Sequence, residues 1–447
     1  MGLKKISFLE ICMFFIIIVI SAIPFQGIIK PHLPGLIGSI WKELFIITIF
    51  ILVIFRDLLY GHIFVGNKLI TSTLLLNLLY WCIRAAFSDG DKYLITLSLL
   101  SIFAYIPLFL LIFRATRIYP RLSINIVISS LLVGGIIGFL TIPEVVWNIS
   151  LSDSSYDYIY FGGKLVIRAK STVGSALGLG YYLTMLVVPF IWVNGNTKIS
   201  ILIKLLINIS FIGIGIGIFL STCRGALLIA LISSILYFIL TSKNFKIRKL
   251  FSPKKLFYTA LVVILIILVI LSIIWIVMNW FEIERTNTIL ERLLAAFNVS
   301  EESNETRFAR WYESWQLIAD NGINGIVFGV GVGYAGNLPG IVDIKTFIPE
   351  SWILKLLING GILGLVLWYI PVIIVMAQAF IRFRDKNIDE GMLIKCLFSS
   401  IMGLLLVMIW LQVLDFYLNN MFFWLFLGLL SGLTHLRNNT PGSRQSN

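Results

Sequence analysis

Uninterrupted apolar runs recur along this chain, and they leave very few folds open to it. An α-helix rises 1.5 Å per residue, so roughly 20 apolar residues cross a hydrocarbon core about 30 Å thick. Twelve such runs are read at 8–23, 36–55, 69–87, 93–113, 122–142, 172–193, 199–220, 225–241, 256–278, 352–378, 392–412 and 416–434. They are continuous, whereas a membrane β-barrel needs alternating segments of about ten residues. A mean hydropathy of +0.96 with 13% charged residues excludes soluble and disordered chains. The expected fold is an all-α polytopic membrane protein of about twelve transmembrane helices, with one large extracytoplasmic loop that contains an amphipathic helix. The first run follows Lys4 and Lys5, and no small-residue cleavage site precedes Pro24, so it reads as a retained helix.

The expected organisation runs from helices 1–5 (1–142), through an outer loop (143–171), to helices 6–9 (172–278). A large outer catalytic loop (279–351), helices 10–12 (352–436) and a tail (437–447) complete it. An even number of spans puts both termini on one side. Excess Lys and Arg marks that side as cytoplasmic. The densest basic loop is 243–255, and Lys4, Lys5, Arg114, Arg117, Arg121, Arg382, Arg384 and Lys386 fall on the same face. The net charge of +13 and the pI near 9.5 are thus an orientation signal, and no nucleic-acid partner is expected. The four cysteines (Cys12, Cys82, Cys223, Cys396) show no metal or redox spacing and read as small buried residues, and the scattered His32, His62 and His435 suggest no metal site.

Function is expected where polarity interrupts this pattern. Arg224 stands between two apolar runs in Leu220-Ser221-Thr222-Cys223-Arg224-Gly225. An unpaired charge near a bilayer centre costs about 2.5–3.5 kcal/mol on insertion scales, so Arg224 belongs at an interface, in a wet cavity or against an anion. Loop 279–351 holds Glu282, Glu284, Glu291, Glu301, Glu302, Glu305, Glu313, Asp320, Asp343 and Glu350, interleaved with Arg285, Arg292, Arg307 and Arg310. Within it, 306–320 reads as an amphipathic helix with Phe308, Trp311, Trp315 and Ile318 as its apolar stripe, lying flat on the outer leaflet. Asn321-Gly322 ends that helix, and Gly329-Val330-Gly331-Val332-Gly333 follows as a tight turn with neither P-loop nor dinucleotide context. Pro349 and Glu350 suit a helix start. Asp89-Gly90-Asp91 resembles a sugar-phosphate motif but reads better as a turn. Glu144 and Asp415, at span ends, read as interfacial.

Three blocks resemble the O-antigen ligase/polymerase superfamily of bacterial envelope glycosyltransferases. They are Ser221 to Ala226 (a Ser-x-x-Arg-Gly between spans), Thr306-Arg307-Phe308 through Trp311 to Gly333, and Glu350-Ser351 through Gly361 to Gly364. Arg168 before Gly174 and Gly178 is a weaker fourth match. A glycine eleven residues beyond an arginine, present in some polymerases, is not met: Leu179 follows Arg168 and Asn321 follows Arg310 at that distance. Glu350-Ser351 stands where ligases carry a His-Asn type of pair, so the chain looks most like the Wzy-type polymerase branch.

The resemblance implies a metal-independent glycosyltransferase of the bacterial inner membrane that needs no cofactor. Its substrates would be polyprenyl-diphosphate-linked oligosaccharides, with membrane lipids, a chain-length regulator and a flippase as partners. Arg168, Arg224, Arg307 and Arg310 would bind the diphosphate, and Glu350, Arg224 and Arg307 would be catalytic. The alternatives are a ligase that moves glycan to lipid A core and, in a different class, a polysaccharide-lipid flippase or secondary transporter. A polyprenyl-phosphate-sugar transferase using Asp89 and Asp91 is a further reading.

Overall fold

A computed structural model of the chain describes residues 8–60, 67–152, 157–161, 164–242, 302–336, 347–382 and 388–435. The expected ninth span (256–278), the basic segment 243–255, loop parts 279–301 and 337–346, and the tail 437–447 lie outside the described residues.

The chain is an all-α polytopic membrane protein. Among the described residues, nine helical stretches are long and apolar enough to cross a bilayer. The helices are α1 (Phe8–Ala22), α2 (Gln26–Ile29), α3 (Gly35–Leu59), α4 (Lys68–Ala86), α5 (Lys92–Phe103), α6 (Ile106–Ile118), α7 (Arg121–Phe139) and α8 (Thr141–Val146). After a hairpin of β1 (Asp157–Phe161) and β2 (Lys164–Arg168) come α9 (Ala176–Met185), α10 (Val187–Gly195), α11 (Ile201–Leu220) and α12 (Arg224–Thr241). The remainder is α13 (Glu302–Asp320), α14 (Gly322–Phe328), α15 (Trp352–Arg382), α16 (Ile388–Val407) and α17 (Tyr417–Thr434).

The core is organised around α17, which is buried from Leu418 to Leu433. An apolar helix buried on every side belongs inside a bundle, because its partners exclude lipid as well as water. Elsewhere small residues set the crossings. A methyl on Gly138 would overlap the Gly213 backbone, so α7 and α11 meet backbone to backbone. Where lipid is as apolar as leucine, such close approach is a main source of helix association.

The expected spans meet the structure with local differences. Span 93–113 is divided into α5 and α6 near Tyr105, and span 172–193 into α9 and α10 near Leu186. The antiparallel pairing of β1 with β2, Asp157 opposite Arg168, adds a hairpin to an outer loop for which no strand was expected. Cys82 is exposed while the other three cysteines are buried, because α4 lies at the edge of the bundle, with Leu75, Leu76, Leu79 and Ile83 also exposed.

Polar contacts sort the helix ends into two groups. One end joins Glu144 to Lys170 and Ser171, Arg168 to Ser221, Ser88 to Val332, and Ser351 to Ile409. The other joins Asp57 to Arg114 and Asn67 to His435.

Candidate functional site

The site is built on three arms at the first of these ends. The first arm is the end of β2 and the turn after it. Arg168 is buried, and its Nε donates to Ser221 O (3.2 Å) and Thr222 Oγ1 (3.0 Å). The Ala169 N–H donates to Leu220 O at 3.0 Å, which clips this arm to the end of α11. Glu144 locks the next residues: its Oε2 accepts from the N–H groups of Lys170 (2.9 Å) and Ser171 (2.6 Å). Thr172 Oγ1 donates to Pro24 O at 2.8 Å. Glu144 is completely buried, so its expected place at the interface is corrected. Two backbone donors offset part of the cost of burying this carboxylate, and sequence cannot show that those donors converge.

The second arm is Leu220-Ser221-Thr222-Cys223-Arg224. The chain must leave α11 and enter α12 within three residues, and Thr222 takes a left-handed conformation (φ 50°) to do so. That conformation is costly for a β-branched residue and persists only where surroundings enforce it. Here Arg168 bonds the Thr222 hydroxyl, and the Thr222 N–H donates to Phe219 O. Arg224, partly buried, is the first residue of α12. A methyl on Gly225 would meet the Tyr181 ring at 3.1 Å, so glycine lets α9 approach this turn.

The third arm is α13 with the start of α15. Arg307 Nε lies 4.0 Å from Glu350 Oε2, and both side chains are about one-third exposed (30% and 38%). Glu350 is also left-handed (φ 56°). Ser351 then starts α15: its Oγ accepts from Leu354 N–H (3.4 Å) and donates to Ile409 O (2.7 Å). Arg310 pairs with Glu313 at 2.9 Å and lies over the Phe347 ring, 5.7 Å from its centroid.

The arms converge at Cys223. Burial pushes its thiol above the usual range, and the guanidinium of Arg168 is the largest influence opposing that, with Arg307 also acting on it. The Tyr181 ring and hydroxyl lie against the same turn, 3.1–3.2 Å from where a Cβ on Gly225 would be, within electrostatic reach of Arg307 and Arg168. Arg168 thus bonds the turn that precedes Arg224, and Arg307 lies within electrostatic reach of it. A partly exposed guanidinium beside a carboxylate, as Arg307 is beside Glu350, suits binding a phosphate-type anion bidentately with a proton acceptor near it. Among the described residues, no group of three or more His, Cys, Asp or Glu side chains could hold a metal ion.

The glycine-rich turn has a structural explanation. Gly361 breaks the helical geometry of α15 (φ 63°), and the carbonyl of Ile358 accepts from Val330 N–H (2.7 Å) and Gly331 N–H (3.3 Å). Gly329 (φ 79°) packs against that break, where a Cβ would lie 2.6 Å from Gly361 N. Asn359 clamps Ala335 through both its N–H (3.1 Å) and its O (2.8 Å). Arg84 donates to Phe328 O (2.7 Å) and Gly329 O (3.0 Å). Asp91 caps α5 by accepting from Tyr93 N–H at 2.7 Å, consistent with a turn at Asp89-Gly90-Asp91.

The aromatic stripe on α13 is divided. Ile318 is buried and Trp311 half-buried against Leu354, Leu357 and Ile358 of α15, whereas Phe308, Tyr312 and Trp315 are exposed (50%, 66%, 56%). Helical spacing identified the helix but not which part of a wide apolar arc faces protein.

Sequence reading missed Tyr181, Asn359 and Lys355. Lys355 had a visible signal, a charge inside an apolar run. It forms a buried ion pair with Asp415, and each side chain is 1% exposed, so the expected interfacial position of Asp415 is also corrected: a carboxylate enters the interior when a lysine meets it there.

No curated protein matches the chain. Residues 209–369 match the family model described as O-Antigen ligase, a stretch that contains Arg224, Arg307, Glu350 and the glycine-rich turn. Over that segment the chain is similar to the O-antigen ligase/polymerase superfamily, which supports a function of that type.

Proposed function

We propose that the protein polymerises polyprenyl-diphosphate-linked oligosaccharide repeats on the outer face of the bacterial cytoplasmic membrane, with twelve spans and both termini cytoplasmic. The observation that carries this is Arg168 bonded to Ser221 and Thr222, two residues before Arg224, together with Arg307 4.0 Å from Glu350. The acceptor hydroxyl oxygen attacks the anomeric carbon of the donor glycan. The bond from that carbon to the diphosphate oxygen breaks, and polyprenyl diphosphate leaves with the electron pair. Arg224 and Arg307 carry the developing charge, with Arg168 and Arg310 in support. Preorganised donors of this kind supply about 3 kcal/mol each in a dry site. Glu350 takes the acceptor proton.

The Arg307–Glu350 contact suits such a cycle. A pair about one-third exposed at 4.0 Å contributes about 0–1 kcal/mol, so an incoming diphosphate displaces it at little cost. When Arg307 turns to the phosphate, the carboxylate is left to the acceptor. The exposed Phe308, Tyr312 and Trp315 support α13 resting at headgroup level, where a lipid-linked diphosphate also lies. The scheme uses no metal or cofactor.

The family description favours a second reading, transfer of finished glycan to lipid A core. Surface polysaccharide of a strain lacking the protein separates the two. Single repeats on core are expected for loss of a polymerase. Bare core with accumulated lipid-linked polymer supports a ligase and overturns the polymerase reading.

A further inference from the structure

The connection from α16 to α17 touches every arm of the site, although it lies beyond the family match, which ends at residue 369. On the Glu350 side, Ile409 O accepts from Ser351 Oγ (2.7 Å), and Leu411 O accepts from Trp352 N–H (3.3 Å). Asp415 is ion-paired to Lys355, one turn beyond Ser351. Lys355 also donates to Ser101 Oγ (3.0 Å) and lies over the Trp352 ring (4.9 Å). On the Cys223 side, the Phe416 ring lies 6.0 Å from that of Tyr181, and both Tyr181 and Leu411 pack on Gly225, next to Arg224. On the Arg168 side, Tyr417 OH donates to Val173 O at 3.0 Å, five residues after Arg168. Three consecutive residues therefore grip three separate arms.

Stability alone does not account for this arrangement. A buried ion pair is worth little or nothing against apolar side chains of the same volume, and its best-attested use is to hold one register. Ionisable residues inside a membrane bundle are likewise costly and are found where function needs them.

We infer that Asp415, Phe416 and Tyr417 form a brace of positioning residues that sets the spacing between Glu350 and the arginine-bearing arms. The inference rests on the roles given above to Glu350 and Arg168. Asp415 acts through Lys355 on the proton-accepting arm, and Tyr417 acts through Val173 on the diphosphate arm. Loss of each grip therefore has its own signature.

Two variants of the full-length protein test this. Tyr417→Phe removes one hydroxyl and keeps the ring. Lys355→Gln with Asp415→Asn neutralises the pair without leaving one buried charge unpaired. Backbone hydrogen exchange is followed by mass spectrometry, together with turnover of lipid-linked repeats. For Tyr417→Phe, exchange in 168–175 is expected to rise about fivefold, the scale of one hydrogen bond, with 350–357 unchanged. The donor KM rises by a similar factor while kcat holds. The double variant is expected to do the reverse, speeding exchange in 350–357 and lowering kcat with the donor KM held. Unchanged exchange in both arms, or equal loosening of both arms in both variants with kcat and KM moving together, overturns the brace. If the wild-type protein turns over no lipid-linked repeat, the polymerase reading fails, and arm-selective exchange still supports the brace on its own.

Discussion

A guanidinium on the first turn of a helix stands at the wrong end of the helix dipole, and Arg224 occupies that position on α12. An anion resolves the conflict, because the helix N-terminus and the side chain then attract the same ligand. Arg224→Lys keeps the charge and loses the fork. We expect polymerisation by the purified variant to fall at least about tenfold, the scale of one charge-assisted bond; full activity would remove the diphosphate role. Glu350→Gln is expected to lower kcat by roughly 10²–10⁴, the range for loss of a general base. Its thermal midpoint should stay near wild type, because the pair it breaks is long (4.0 Å) and partly exposed. A variant that unfolds early would make Glu350 structural. Arg224 was legible as a charge among apolar residues. Tyr181 was not: a tyrosine in an apolar helix has the same signature whether it packs or donates, and only the fold brings it to Cys223.

Among the elements, α15 shows how a membrane helix is broken deliberately. Gly361 frees the carbonyl of Ile358, and the glycine-rich turn supplies the replacement donors from Val330 and Gly331. Irregular backbone at membrane depth is tolerated on this condition. Gly361→Ala places a methyl against the Val327 carbonyl at a left-handed φ. The backbone strain alone amounts to about 1–3 kcal/mol. We expect a lower midpoint in thermal unfolding and faster proteolysis of the 329–336 turn; an unshifted midpoint would show that the break is not enforced. The order of helices was legible from apolar periodicity. The β1–β2 hairpin was not, and neither was the docking of its end on α11 through Ala169 N–H and Leu220 O.

At the scale of the whole molecule, polar contacts place Asp89-Gly90-Asp91, Glu144, Arg168, Arg224, Glu313 and Glu350 toward one end, and Asn67, Arg114 and His435 toward the other. With cytoplasmic termini, an impermeant maleimide in the periplasm should label Glu313→Cys but not the exposed Lys198→Cys. The reverse pattern would invert the assigned orientation and put the site on the wrong face for exported lipid-linked sugars.

Composition and periodicity by themselves determined that the chain is a bundle of membrane helices, where most spans lie and which loops share a side. These properties follow from the length of an apolar run and the cost of burying charge, and both are local. The tertiary structure alone decided that Arg168 meets Thr222, that Arg307 approaches Glu350, and that Lys355 and Asp415 enter the interior as a pair. Each of these depends on two stretches of chain arriving together, and a charge that is costly alone becomes tolerable only when its partner's position is known.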